Sequence, residues 1–116
     1  MTQSTTTYSL GDVVFVPFQF TDRAAAKNRP AVVISSDRFH ASRQEVIIAG
    51  ITSHAARSMV GESDIRDWRE CGLPRPSIAS GLIMTVRDYR ISRKLGRLSV
   101  RDLQGLTVAL RLSLDL

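Results

Sequence analysis

Short apolar runs occupy the first three quarters of the chain, and a three- and four-residue periodicity takes over at its end. Val13, Val14, Phe15, Val16 and Phe18 follow the turn pair Gly11-Asp12 and predict a first strand, with Pro17 marking an edge or bulge. Residues 19–29 lose all periodicity and turn small and polar, as in a long functional loop. Ala31, Val32, Val33 and Ile34 predict a second strand entered through the rigid Pro30. A third runs from Glu45 through Ile51, apolar in succession like a strand covered on both faces, and leads directly into Thr52-Ser53. Residues 37–44 read as the connection between these two strands. Asp67 with Glu70 has the capping-box form and Gly72 precedes Pro74, which predicts a short helical turn carrying Trp68. Ile78, Leu82, Ile83, Thr85 and Val86 predict one or two further strands with Gly81 as a bulge or bend. Ser99 and Asp102 cap a final helix on which Val100, Leu103, Leu106, Leu110 and Leu114 recur. Gly105 lowers the helix propensity and points to close packing beneath it. Four or five strands and a closing helix make a mainly β fold with α: a small, strongly bent antiparallel sheet or closed barrel with the helix over one opening.

The 116 residues suffice for one domain, expected over 10–116 behind a flexible tail at 1–9. No apolar run approaches the ~20 residues that span a bilayer, and the Thr- and Ser-rich start has no hydrophobic signal region, so a cytoplasmic protein is expected. The lone Cys71 can make neither an internal disulfide nor a structural zinc site and is expected to fill space. Charge adds more. Sixteen basic residues against eleven acidic ones give +5, and fourteen of the sixteen are arginine, whose planar fork binds phosphate bidentately and stacks on bases. Residues 87–101 hold Arg87, Arg90, Arg93, Lys94, Arg97 and Arg101 against Asp88, which suits either a solvated face or an anionic partner.

Phosphate-binding glycine loops and paired metal-ligand motifs are missing, and the two histidines, His40 and His54, are separated by a strand, so no metal or other cofactor is expected. One constellation stands out. Lys27 and Arg29 precede the second strand, and Thr52, Ser53 and His54 follow the third. If the two strands are antiparallel neighbours, Arg29 and Thr52 meet at one end of the sheet. A guanidinium beside hydroxyls is a set of phosphate donors that would stabilise the charge of a pentacoordinate transition state. RNA can supply its own nucleophile, the 2′-hydroxyl, so such a site needs no metal. A surface ion pair of Arg29 with Asp12 or Asp22, and an ordinary strand-end role for Thr52, is the plainer reading of the same spacing.

The segments Gly11-Asp12-Val13-Val14, Asn28-Arg29-Pro30-Ala31-Val32-Val33-Ile34-Ser35, Ile51-Thr52-Ser53, Gly72-Leu73 with Pro76-Ser77, and Leu95-Gly96-Arg97-Leu98-Ser99 together resemble the PemK/MazF family of bacterial toxins. The resemblance implies an SH3-like barrel with a C-terminal helix, usually a homodimer. It implies an endoribonuclease acting on single-stranded mRNA, held in check by a small acidic antitoxin. It makes Arg29 and Thr52 the catalytic pair and Arg23, Lys27, Asn28 and Ser53 candidates for RNA contact, with His54 and Arg57 in the loop after the third strand. The sequence departs from the family pattern at Ala24, Ala25 and Ala26 and again at Gly81, Leu82, Ile83 and Met84, where acidic, histidine or glutamine residues are common. The general acid and base are thereby left open among Arg29, Lys27 and His54. Two other readings stand beside the nuclease: a CcdB-like barrel that poisons gyrase through protein contact and needs no Arg-Thr pair, and a degenerate toxin that keeps only RNA or antitoxin binding.

Overall fold

The computed structural model describes residues 8–19, 27–53 and 59–116. Among them six strands form one antiparallel sheet: β1 Asp12–Phe18, β2 Lys27–Val33, β3 Glu45–Thr52, β4 Ser63–Ile65, β5 Ser77–Arg87 and β6 Arg93–Arg97, in the order β4-β5-β3-β2-β1-β6. Two helices accompany them, α1 Asp37–Arg43 and α2 Val100–Leu114, with a 3₁₀ turn at Asp88–Arg90.

Alternation along the strands sorts two cores. Val14, Val16, Phe18, Ala31, Val33, Val46 and Ile48 pack with Ile91, Met84 and Val86 on one face, without any α2 residue, so the sheet curls over itself into a half-barrel. This is the inner face. Val13, Val32, Ala49 and Ile51 point the other way, beneath Leu106 of α2 and beneath Cys71 and Leu73.

The motifs that carry the family resemblance meet in space. Leu98 N–H donates to the Gly11 carbonyl at 2.8 Å, and the buried Asp12 carboxylate takes Arg97 Nη1 at 2.8 Å, Lys94 Nζ at 3.3 Å and Ser9 N–H at 2.8 Å. An added Cβ at Gly96 would lie 2.5 Å from the Cys71 backbone, and one at Gly72, at φ +84°, would strike the Leu95 carbonyl. Only glycines let that turn lie flat on β6.

Several expectations need correction. The second strand starts earlier, at Lys27, and ends at Val33. Residues 37–43 are a helix, missed because its seven residues bury only His40 and show no apolar period; Ser36 caps it by accepting from Phe39 N–H at 3.2 Å. His40 ties it down, its Nδ1–H donating to the Tyr8 carbonyl at 2.9 Å and its Nε2 meeting Ser35 Oγ at 2.5 Å. Tyr8 and Ser9 are therefore anchored, and the rest of the expected tail lies outside the described residues. β4 and β6 are too short and too polar to announce themselves.

Asp67 does not cap a helix. Residues 66–72 form successive turns, and the Asp67 carboxylate accepts from Ser99 Oγ at 2.6 Å and from Arg101 at 2.8 and 2.9 Å. These bonds hold its carboxyl down to about 2. Trp68 is half-buried against the outer core, with Arg69 over its ring at 4.9 Å.

Gly81, at φ +84°, does mark a bulge, where the β3–β5 register shifts between Ala49 and Ile51. Ser99 caps α2 as expected, accepting from Asp102 N–H at 3.3 Å, and Gly105 lies close over Ser63. Leu106 is buried and Leu103 and Leu110 pack against the core, whereas Val100 and Leu114 at the helix ends are exposed. Burial pushes the Cys71 thiol up to about 11, so it fills space as an inert, protonated side chain.

Candidate functional site at the open end of the half-barrel

β2 and β3 are antiparallel neighbours, with Ala31 opposite Gly50, Val32 opposite Ala49 and Val33 opposite Ile48. Carrying that register two residues further sets Arg29 across from Thr52. On their other sides Arg29 faces Val16 of β1 and Thr52 faces Ile78 of β5, which in turn faces Asp64 of β4. Directly opposed residues share a face with Cβ atoms roughly 4.5–5.5 Å apart. One row thus crosses the sheet from Val16 through Arg29, Thr52 and Ile78 to the exposed Asp64.

The parity of the row is that of Val14, Ala31, Val33 and Ile48, so Arg29 and Thr52 belong to the inner face beyond the last apolar layer. Arg29 and Thr52 are both half-buried there, the Arg29 Nε fully so. Lys27, opposite Phe18, shares the face and is exposed. Lys27, Ser53 and Asp64 are exposed at this end of the sheet, which leaves it open, while Ile91, next to Ser92, packs into the same inner core from just before the start of β6.

The remaining candidates divide. Asn28, opposite Pro17, belongs to the outer face, and its Oδ1 accepts from Ser92 Oγ at 3.4 Å. Ser53 is exposed just past Thr52. Arg23, His54 and Arg57 lie outside the described residues, as do Ala24, Ala25, Ala26 and Asp22. The ion pair of Arg29 with Asp12 is not formed; Asp12 sits lower on β1, held by Arg97 and Lys94. Ser92 and Asp64 adjoin the site without having been singled out, because neither pairing could be read from sequence. Among the described residues no group of three or more His, Cys, Asp or Glu is placed to hold a metal ion. No described helix is long and apolar enough to cross a membrane.

The fold is thus a six-stranded half-barrel with its C-terminal helix packed on the outer face and not over an opening, and with an arginine and a threonine in one row at its mouth. The description "PemK-like, MazF-like toxin of type II toxin-antitoxin system" matches residues 9–114, and the chain belongs to that family. Among curated protein sequences none matches. Solved structures do. The Mycobacterium tuberculosis toxin MazF-mt6 is 22% identical with a TM-score of 0.73, over 90% of this chain and 97% of that one. An endoribonuclease in complex with its cognate antitoxin, from a mycobacterial species, is 15% identical with a TM-score of 0.77, over 94% and 96%. A MazE-MazF structure from Deinococcus radiodurans is 16% identical with a TM-score of 0.73, over 94% and 97%. At these identities the likeness is one of fold.

Proposed function

We propose that the protein is a toxin of a type II toxin-antitoxin pair that cuts single-stranded RNA at the open end of its half-barrel, without a metal. The observation that carries this reading is the shared row and face of Arg29 and Thr52. A phosphodiester seated there would receive the guanidinium fork and the threonine hydroxyl, with Lys27 and Ser53 beside it. The substrate's 2′-oxygen attacks the adjacent phosphorus, the bond to the 5′-oxygen breaks, and the products are a 2′,3′-cyclic phosphate and a free 5′-hydroxyl. One proton leaves the 2′-hydroxyl and one reaches the departing oxygen. Arg29 and Thr52 act on the charge that builds on the phosphoryl oxygens between these transfers.

The protein is expected to work in the cytoplasm as a homodimer restrained by an acidic antitoxin; restraint by an antitoxin is supported by the similar endoribonuclease solved in complex with its cognate antitoxin. Pairing is supported by an apolar groove of about 340 Å³ between the second half of α2 and the sheet, lined by Ile34, Ile47, Ile83, Leu110 and Leu114.

Incubating the purified protein with a long transcript in EDTA tests the proposal. Fragments ending in cyclic phosphate are expected, and Arg29→Ala or Thr52→Ala should slow cleavage by roughly 10²–10³-fold. RNA left intact together with inhibition of gyrase would instead favour the CcdB-like reading, and intact RNA that still binds would favour a degenerate toxin.

A further inference from the structure

The basic stretch at residues 87–101 splits in two. Lys94 and Arg97 hold the Asp12 carboxylate, and Arg101 is bound to Asp67. Arg87, Arg90 and Arg93 are exposed and make no ion pair among the described residues. They lie where the chain climbs from the end of β5, through the 3₁₀ turn, to β6. Ile91 is the inward anchor of this crossing, and Asp88 N–H fixes its foot by donating to the Gln44 carbonyl at 3.1 Å.

Its outer side carries Tyr89, 75% exposed, although burial could have taken so large a ring. Its upper end reaches the site. Ser92 N–H donates to the Phe15 carbonyl at 2.8 Å while its hydroxyl meets Asn28, the residue before Arg29. Arg93 faces Phe15 in the ladder and its guanidinium lies 5.5 Å from the centre of that ring, which holds the fork in place.

We propose that Tyr89, Arg90, Ser92 and Arg93 form an accessory RNA track that leaves the open end over Asn28 and holds the strand flanking the scissile phosphate. Single-stranded RNA fits this surface better than an acidic peptide does. Arginine forks binding phosphates and an exposed ring on which any base can stack are the elements of sequence-tolerant strand binding. Continuity with Asn28 then lets one strand occupy both places. This rests on the nuclease reading and extends it to RNA beyond the cut.

The test uses the full chain, a transcript pool, and 2′-O-methyl oligonucleotides, which cannot be cut, of about 20 and about five nucleotides. Tyr89→Ala combined with Arg90→Ala should weaken the long oligonucleotide about tenfold, spare the short one, and reduce the salt slope by ~0.7. Tyr89→Phe, which keeps the ring, should bind as the parent does. Transcript cleavage by the double variant should show a raised KM at unchanged kcat. Equal binding of the long oligonucleotide by parent and variant, with the parent still cutting transcripts, overturns the track alone. Loss of polyglutamate binding without loss of RNA binding overturns it in favour of a protein partner. A parent that cuts no transcript overturns the nuclease reading and the track with it.

Discussion

Asp102 is the strongest point at which to break the fold without touching the open end of the half-barrel. Its side chain is 4% exposed, and its two oxygens accept from the backbone N–H groups of Arg66 at 3.0 Å and Asp67 at 2.8 Å. These bonds fasten α2 to the turn that carries Trp68, Cys71 and Leu73 onto the outer core. In Asp102→Ala both amides lose a charged acceptor in a site with little water. Each such loss costs about 1.5–3 kcal/mol, which puts the destabilisation near 4 kcal/mol once the helix relaxes. For 116 residues the unfolding entropy is about 0.24 kcal/mol/K, so the melting temperature should fall by about 15 °C. Asp102→Asn should lose at least half as much, because one oxygen cannot serve two amides. Urea denaturation and calorimetry measure both variants, and hydrogen exchange should show the Arg66 and Asp67 amides losing protection. An asparagine variant as stable as the parent, or an alanine variant within about 1 kcal/mol of it, would refute the argument.

Gly96→Ala should be destabilised by at least 1–3 kcal/mol, the cost of overpacking, because its new methyl group meets the Cys71 backbone and not a side chain that can turn away; a urea midpoint equal to the parent's would contradict this. Stability should also fall on acidification through Asp67. Its carboxyl is lowered from 3.8 to about 2 by Arg101 and Ser99, so folding favours the charged form. That contribution is complete above pH 4 and is lost as the pH drops from about 4 through 2. Midpoints measured across this range should decline less steeply in Asp67→Asn than in the parent, and equal slopes would remove Asp67 as a source of the acid sensitivity.

What could be read in the sequence was whatever depends on a chain period or a local cap. The strand of Val13, Val14 and Val16, the continuous apolar run of β3, the Gly81 bulge and the Ser99 cap are each decided by residues within a few positions of one another. The missed elements depend on partners far away. β4 has three residues and gains its identity from pairing with Ser77, Ile78 and Ala79, and β6 is polar because its job is to clasp Asp12 with Arg97 and Lys94. The Asp67–Glu70 pair misled because a carboxylate that satisfies a local cap on paper is worth more, in the folded chain, to Arg101 and Ser99, more than thirty residues away.

That Arg29 and Thr52 fall in one row of the extended β2–β3 register was legible for a simpler reason. Two antiparallel strands joined by a short connection must bring the start of one to the end of the other, whatever the connection is made of, and the unforeseen helix α1 changed nothing there. Face was the harder half. Arg29 and Thr52 share the inner face only because each stands an even number of residues from apolar positions of the inner core, Ala31 and Val33 on one strand, Val46 and Ile48 on the other. The same parity turns Asn28 outward, to Ser92. It also accounts for the apolar stretch at residues 82–84: beyond the bulge Ile83 faces Ala49 and Met84 faces Ile48, while Ile78 is the β5 residue opposite Thr52. Polar groups at 83 and 84 would stand beside Ala49 and Ile48, in the body of the half-barrel and away from its mouth. The apolar residues there serve packing, Met84 in the inner core and Ile83 along the groove beside α2.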